Sequence, residues 1–90
     1  MNTTSLKLYV VSGTPSSDRA VAAIERLRAV LPGDVTIDVV DLGEHPEIAE
    51  AERILATPML VRIAPAPPRR VVGDLSDLDR VRWGLGLGGA

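Results

Sequence analysis

Three observations in the sequence predict an α/β domain built around a βαβ unit. Two apolar runs of strand length, LKLYVV at 6–11 and VTIDVV at 35–40, flank a stretch where Ala20, Ile24, Leu27 and Leu31 recur at helical spacing. The links between them are short and rich in turn formers, which implies parallel strands with a right-handed crossover. A second helical stretch, two further strand-length runs and a last helical stretch follow, with prolines crowded between the two runs.

Each element has its own signal. In the first run Leu6, Leu8 and Val10 share one face. Ser12 to Ser17 form a loop, in which Ser16 or Ser17 is expected to cap the helix, and Asp18 suits its positive end. Pro32-Gly33 stops that helix. In the second strand Val35, Ile37 and Val39 alternate with Thr36, Asp38 and Val40. Pro46 fits a helical first turn. Ile48, Ala51 and Leu55 then form the expected inner face, with Glu47, Glu50 and Arg53 outside. Met59 to Ile63 reads as a strand, with Met59, Val61 and Ile63 on one side. Arg69 to Gly73 reads as a shorter one. Ala64 to Pro68 suits a hairpin link but not the middle of a sheet. Asp74 or Ser76 is expected to cap a final helix carrying Leu75, Leu78, Val81 and Leu85. Gly84 and Gly86, placed inside that helix, each cost about 1 kcal/mol relative to alanine. Gly88-Gly89-Ala90 reads as a frayed end. The order β-α-β-α-β-β-α is that of a thioredoxin-like domain, and Thr57-Pro58 falls where that fold places a cis proline.

Composition narrows the function. Ninety residues make one small domain, which buries only about 60% of its unfolded surface. A net charge of −2 leaves no basic footprint for nucleic acid. Tyr9 and Trp83 are the only aromatic residues, so single strands have no stacking platform. The absence of cysteine excludes disulfides, thiolate metal sites and dithiol chemistry. No run has the length of a membrane span and no signal-peptide pattern opens the chain, so a cytoplasmic protein is expected.

The candidate chemical groups have ordinary readings. Gly13-Thr14-Pro15-Ser16-Ser17 occupies the loop where a redox thioredoxin carries its cysteines, and serine offers no accessible thiolate. His45, the one histidine, lacks a nucleophile or orienting partner in the pattern. Glu44, Glu47, Glu50 and Glu52 with Arg53 read as a solvated helix face or a partner surface. Arg69-Arg70 reads as protection of a sheet edge. The C-terminal glycines do not form a phosphate loop. Binding rather than catalysis follows, with no catalytic residue, cofactor or metal site expected.

KLYV at 7–10, TP at 14–15, ILATP at 54–58 and GDLSD at 73–77 resemble the KaiB family, with consistent spacing from Lys7 to Leu87. The resemblance implies a non-enzymatic clock or timer protein that switches folds. Residues 6–42 would form the constant half. Residues 43–90 would rearrange between the thioredoxin-like state and a βαββααβ ground state that associates as a homotetramer or dimer. It further implies that the thioredoxin-like monomer binds the KaiC ATPase ring, sequesters KaiA and competes with a clock histidine kinase. Arg53 stands where the family has a basic residue implicated in that contact, which makes Glu50, Arg53 and Ile54 the KaiC-binding candidates. Pro58 matches the proline of ILATP. Pro65 and Pro67 match two of three consecutive prolines in cyanobacterial relatives, Ala66 replaces the middle one, and Pro68 is extra. With Gly84 and Gly86 these prolines are the fold-switch candidates. Ser12-Gly13 replaces the family's Gly-Asn, and Gly86 to Ala90 stand in place of its acidic tail. These departures leave open a KaiC homologue without KaiA in a stress or timer system. Two rival readings are a thioredoxin-like sensor module of a histidine kinase and a glutathione-binding domain.

Overall fold

A computed structural model describes residues 3–73, 75 and 77–86. Its elements run β1 (Thr4–Val10), α1 (Pro15–Val30), β2 (Val35–Asp41), α2 (Pro46–Ala51), β3 (Met59–Ala64), β4 (Arg69–Val72) and α3 (Leu78–Gly84). This is the order read from the sequence. The sheet is ordered β2-β1-β3-β4. β1 and β2 pair in parallel from Thr4↔Val35 to Val10↔Asp41, while β3 is antiparallel to both β1 and β4.

Strand periodicity divides the apolar residues between two cores. Leu6, Leu8 and Val10 of β1 meet Ala20, Ala23, Ile24 and Leu27 of α1 on one face of the sheet, together with Val81 of α3, Leu85 and Leu75. Tyr9 of β1 and Met59 and Val61 of β3 point the other way, against Leu42, Ile54 and the inner side of α2. The result is a three-layer domain with α1 and α3 on one side and α2 on the other. Leu8, Leu27, Leu60 and Leu85 are fully buried, and each such side chain contributes about 1.5–3 kcal/mol relative to exposure.

Local details depart from the expectations. Thr14, not Ser16 or Ser17, caps α1: its Oγ1 accepts the Ser17 N–H at 3.3 Å and donates to the Val11 carbonyl at 2.8 Å. Pro15 then takes the first helical position, where a missing N–H costs nothing. Ser17 is buried, and its Oγ accepts the Val11 N–H at 3.0 Å. Val39 and Ile63 are exposed. α2 stops at Ala51, so Ala51 and Leu55 are not part of a buried helical face. α3 is capped by the Asp77 carboxylate, which accepts the Arg80 N–H at 3.1 Å. The expected caps Asp74 and Ser76 and the terminal Gly88-Gly89-Ala90 lie outside the described residues.

The two glycines assigned to the last helix have different roles. Gly86 lies beyond it, at φ +74, where glycine follows a helix end without steric cost. Gly84 closes α3 against β4: a Cβ there would lie 2.6 Å from Val71 Cγ2, so its small size sets the approach of helix to strand.

Candidate partner-binding site

The turn from α2 into β3 is built by helix-end hydrogen bonding. The Arg53 N–H donates to the Glu50 carbonyl at 3.3 Å and the Ile54 N–H to the Ala49 carbonyl at 2.9 Å. These are the paired bonds of a Schellman motif, with Glu52 as C-cap and Arg53 in the left-handed position that usually holds glycine. Arg53 has φ 54 and is the one non-glycine residue with positive φ among the described residues. That conformation costs an L-residue about 1–2 kcal/mol. Ile54 belongs to the buried cluster against which Ile48 and Ala49 of α2 pack.

Arg70 of β4 braces this turn from the neighbouring strand. Its guanidinium donates to the Glu52 carbonyl at 2.8 Å and to the Arg53 carbonyl at 3.3 Å. Tyr9 lies in the core that the turn covers. Desolvation there raises the phenol pKa above its usual value, with Glu52 adding to the rise and Arg70 opposing it.

Of the residues expected to contact a partner, Glu50 and Arg53 are exposed and Ile54 is buried at 9% exposure. Glu50 to Ile54 is not a continuous helix, because the chain reverses at Glu52 and Arg53. Ile54 therefore supports the surface from below. Leu55 is the residue that sequence reasoning missed: it is 93% exposed beside Arg53. The proline at 58 gave no signal for it, because a proline restricts the residue directly before it, here Thr57. Past the left-handed turn the two neighbours separate, Ile54 buried and Leu55 exposed.

The remaining candidates are spread across the same half. Thr57-Pro58 is cis and leads into β3, with Pro58 buried. Ala64-Pro65 and Ala66-Pro67 are also cis, in the hairpin between β3 and β4, where Pro68 is exposed. Gly84 and Gly86 lie at the end of α3. A groove of ≈ 560 Å³ runs between the start of α1 and Thr57-Pro58, with Ser16, Arg19 and Arg26 along it. It occupies the place where thioredoxins do their chemistry. Here Ser17 is spent on a backbone bond and no thiol exists in the chain. His45 pairs with Glu47 at 3.4 Å on the surface. Among the described residues no group of three or more His, Asp or Glu side chains is placed to hold a metal ion, and no helix is long and apolar enough to cross a membrane.

Sequence buried in the sheet also went unread. Arg62 on β3 is only 8% exposed. Its guanidinium donates to the Leu85 carbonyl at 2.9 Å and the Pro67 carbonyl at 2.8 Å, while Nε has no partner. A strand-length pattern gives no warning that an arginine will turn inward to an end of α3.

Known proteins share this arrangement. The KaiB domain family model matches residues 7–87. A circadian clock oscillator protein KaiB from Prochlorococcus marinus is 47% identical over 83 residues, covering 91% of this chain and 71% of the relative. The KaiB of Synechococcus elongatus is 43% identical over the same length, covering 91% and 81%. Among solved structures, the N-terminal domain of Synechococcus elongatus SasA superposes with a TM-score of 0.72 at 26% identity, covering 100% of this chain and 90% of that one. A malarial thioredoxin-2 gives a TM-score of 0.79 at 13% identity, covering 91% and 81%, a likeness of fold alone. The α/β architecture is therefore thioredoxin-like, and the chain belongs to the KaiB family of circadian clock oscillator proteins.

Proposed function

We propose that this chain is a non-enzymatic clock or timer regulator that binds a KaiC-type ATPase ring through Glu50, Arg53 and Leu55. The observation that carries the reading is the turn itself. An apolar side chain stands 93% exposed beside an arginine held at φ 54. Buried Ile54 and the Arg70 bonds to the Glu52 and Arg53 carbonyls hold the backbone of that turn. A strained residue kept rigid by its surroundings is a feature of functional surfaces, and an apolar anchor with a charged rim is the composition of a binding hot spot.

The same reading includes fold switching. Residues 6–42 stay constant, and 43–90 exchange between this thioredoxin-like arrangement and a βαββααβ ground state that self-associates. Pro58, Pro65, Pro67, Pro68, Gly84 and Gly86 fall in the exchanging half. Family membership supports this, and so does the shortness of α2, which has six residues and no side-chain cap bond. The likeness to the SasA domain supports a second element of the proposal: competition between this chain and a histidine-kinase sensor domain for the same ring. KaiA would be a further partner in a complete clock, and a ring without KaiA the setting in a stress timer.

Two variants test the surface against a purified KaiC-type ATPase by equilibrium binding. Leu55→Glu should weaken the complex at least about tenfold while leaving the melting temperature unchanged, since its side chain meets solvent. Arg53→Gly should raise stability by about 1 kcal/mol by relieving the left-handed backbone, yet weaken binding. Wild-type affinity in both variants would refute the assignment.

A further inference from the structure

The arginines expected to guard the open edge of β4 are turned away from it. Arg70 reaches across to the carbonyls of Glu52 and Arg53. Arg69 lies beside Gly86, its Nε 3.3 Å from where a Cβ on that glycine would stand. Because the sheet order ends at β4, the side of this strand facing away from β3 has no neighbouring strand among the described residues.

Register shows which backbone groups face that side. Gly73 donates its N–H to the Pro58 carbonyl at 3.2 Å, continuing the β3–β4 pairing in which Leu60 opposes Val71. Hydrogen-bonded positions alternate along an antiparallel pair. Residues 69 and 71 therefore bond inward to β3, and the N–H and C=O of Arg70 and Val72 point outward. Exposed apolar side chains flank this edge on both faces of the sheet: Val72 at 51% exposure and Trp83 of α3 at 69%. Trp83, Val72, Arg70 and Arg80 line one shallow groove of ≈ 640 Å³ there. No carboxylate is among the described residues that line it.

We propose that the β4 edge is a docking site for an extended acidic segment of a partner protein, which adds a strand to the sheet. Strand addition draws affinity from main-chain bonds and specificity from alternate side chains. Here the outward groups of Arg70 and Val72 supply the bonds. Trp83 receives apolar side chains on one face, and Arg80, exposed on α3 and lining the groove, selects carboxylates. A second copy of this chain fits less well, because antiparallel self-pairing brings two Arg80 rims together, and facing like charges are unfavourable. This surface is distinct from the Leu55 turn, and its test does not involve the ATPase ring.

A blocked hexapeptide, Glu-Val-Glu-Val-Glu-Val, is the probe. Its titration should shift the emission of Trp83, the sole tryptophan, and move the amide resonances of Arg70 and Val72. Val72→Pro deletes one outward N–H and none of the bonds to β3, and edge strands tolerate proline. It should reduce binding at least tenfold while the β3 amide shifts persist. Arg80→Glu, on an exposed helical position, should do likewise. The same peptide with lysine for glutamate should give no response. The proposal is overturned by absence of binding, by wild-type affinity in either variant or by an equal response to the lysine peptide. A concentration-dependent dimer that Val72→Pro abolishes would also overturn it and assign the edge to self-pairing.

Discussion

The two halves of this domain share one sheet but are held by different kinds of interaction. From Thr4 to Leu42 the chain follows simple patterning. A 16-residue helix with a side-chain cap covers a parallel pair seven residues long, and the buried face is almost wholly aliphatic. From Gly43 onward α2 has six residues, one arginine adopts a left-handed backbone and another is buried in the sheet. Besides its buried apolar residues, among them Leu60, Leu75, Val81 and Leu85, this half is joined by individual polar ties: Arg62 to Leu85 and Pro67, and Arg70 to Glu52 and Arg53. Aliphatic burial is spread over many contacts and no single one decides it. Polar ties are few and directional, so each loss is local. A surface meant to engage partners is more easily built in the second way.

The contrast breaks most completely at Leu27. It is fully buried between α1 and the sheet. Leu27→Ala should cost about 2–5 kcal/mol, and urea unfolding should show the loss in both halves together, because Leu75, Val81 and Leu85 of the second half share that core. A loss confined to the first half would mean that the halves unfold independently.

Arg62→Met is the corresponding change in the second half. It keeps most of the buried volume but removes both bonds to carbonyls, for an expected cost of about 1–3 kcal/mol. Amide exchange should quicken at 67–72 and 81–86 and stay unchanged in α1. Arg62→Lys should not restore protection, because a single ammonium cannot reproduce the planar fork that spans two carbonyls. Uniform acceleration across the chain would erase the distinction drawn between the halves.

Thr14→Ala probes a polar tie in the patterned half. It removes the acceptor for the Ser17 N–H and the donor to Val11. A lost cap typically costs about 1 kcal/mol, here read as a lower melting temperature with the spectrum of β3 and β4 unaltered.

The same division explains what the sequence disclosed. Leu6, Leu8, Ile24 and Leu27 were legible as core because burial on a strand or helix obeys a fixed period. Thr14 was not, because a cap depends on which of several nearby hydroxyls reaches the free amides, and Pro15 at the first helical position moved the start forward. Leu55 was misread because the helical period was carried past a Schellman turn, and that turn holds arginine where glycine would have marked it. Arg62 was invisible because its burial depends on the Leu85 and Pro67 carbonyls, both distant in register from any strand pattern. The candidate partner surface was legible only as a segment: family resemblance located Glu50 and Arg53, whereas which side chains face outward depended on a backbone reversal.

The smallest expected effect lies at the seam between the halves. Asp41 ends β2, and its carboxylate accepts the Ser12 hydroxyl, the Ser12 N–H at 3.3 Å and the Gly43 N–H at 2.9 Å. These bonds hold its pKa below the usual value, the Ser12 hydroxyl most and the Gly43 and Ser12 amides next. A depressed folded-state pKa stabilises the fold in full above the unfolded value of about 3.9, and that contribution disappears as pH falls through the lower folded value. Acid titration should therefore move the Ser12 and Gly43 amide resonances only below the ordinary carboxylate range, with both following one curve. Asp41→Asn keeps an acceptor but removes the charge, so the curve should vanish while the β1–β2 pairing persists. If Ser12 and Gly43 titrated separately, or at the ordinary value, the carboxylate would not be joining the loop before α1 to the turn that opens the second half. The halves would then be coupled through the shared core alone.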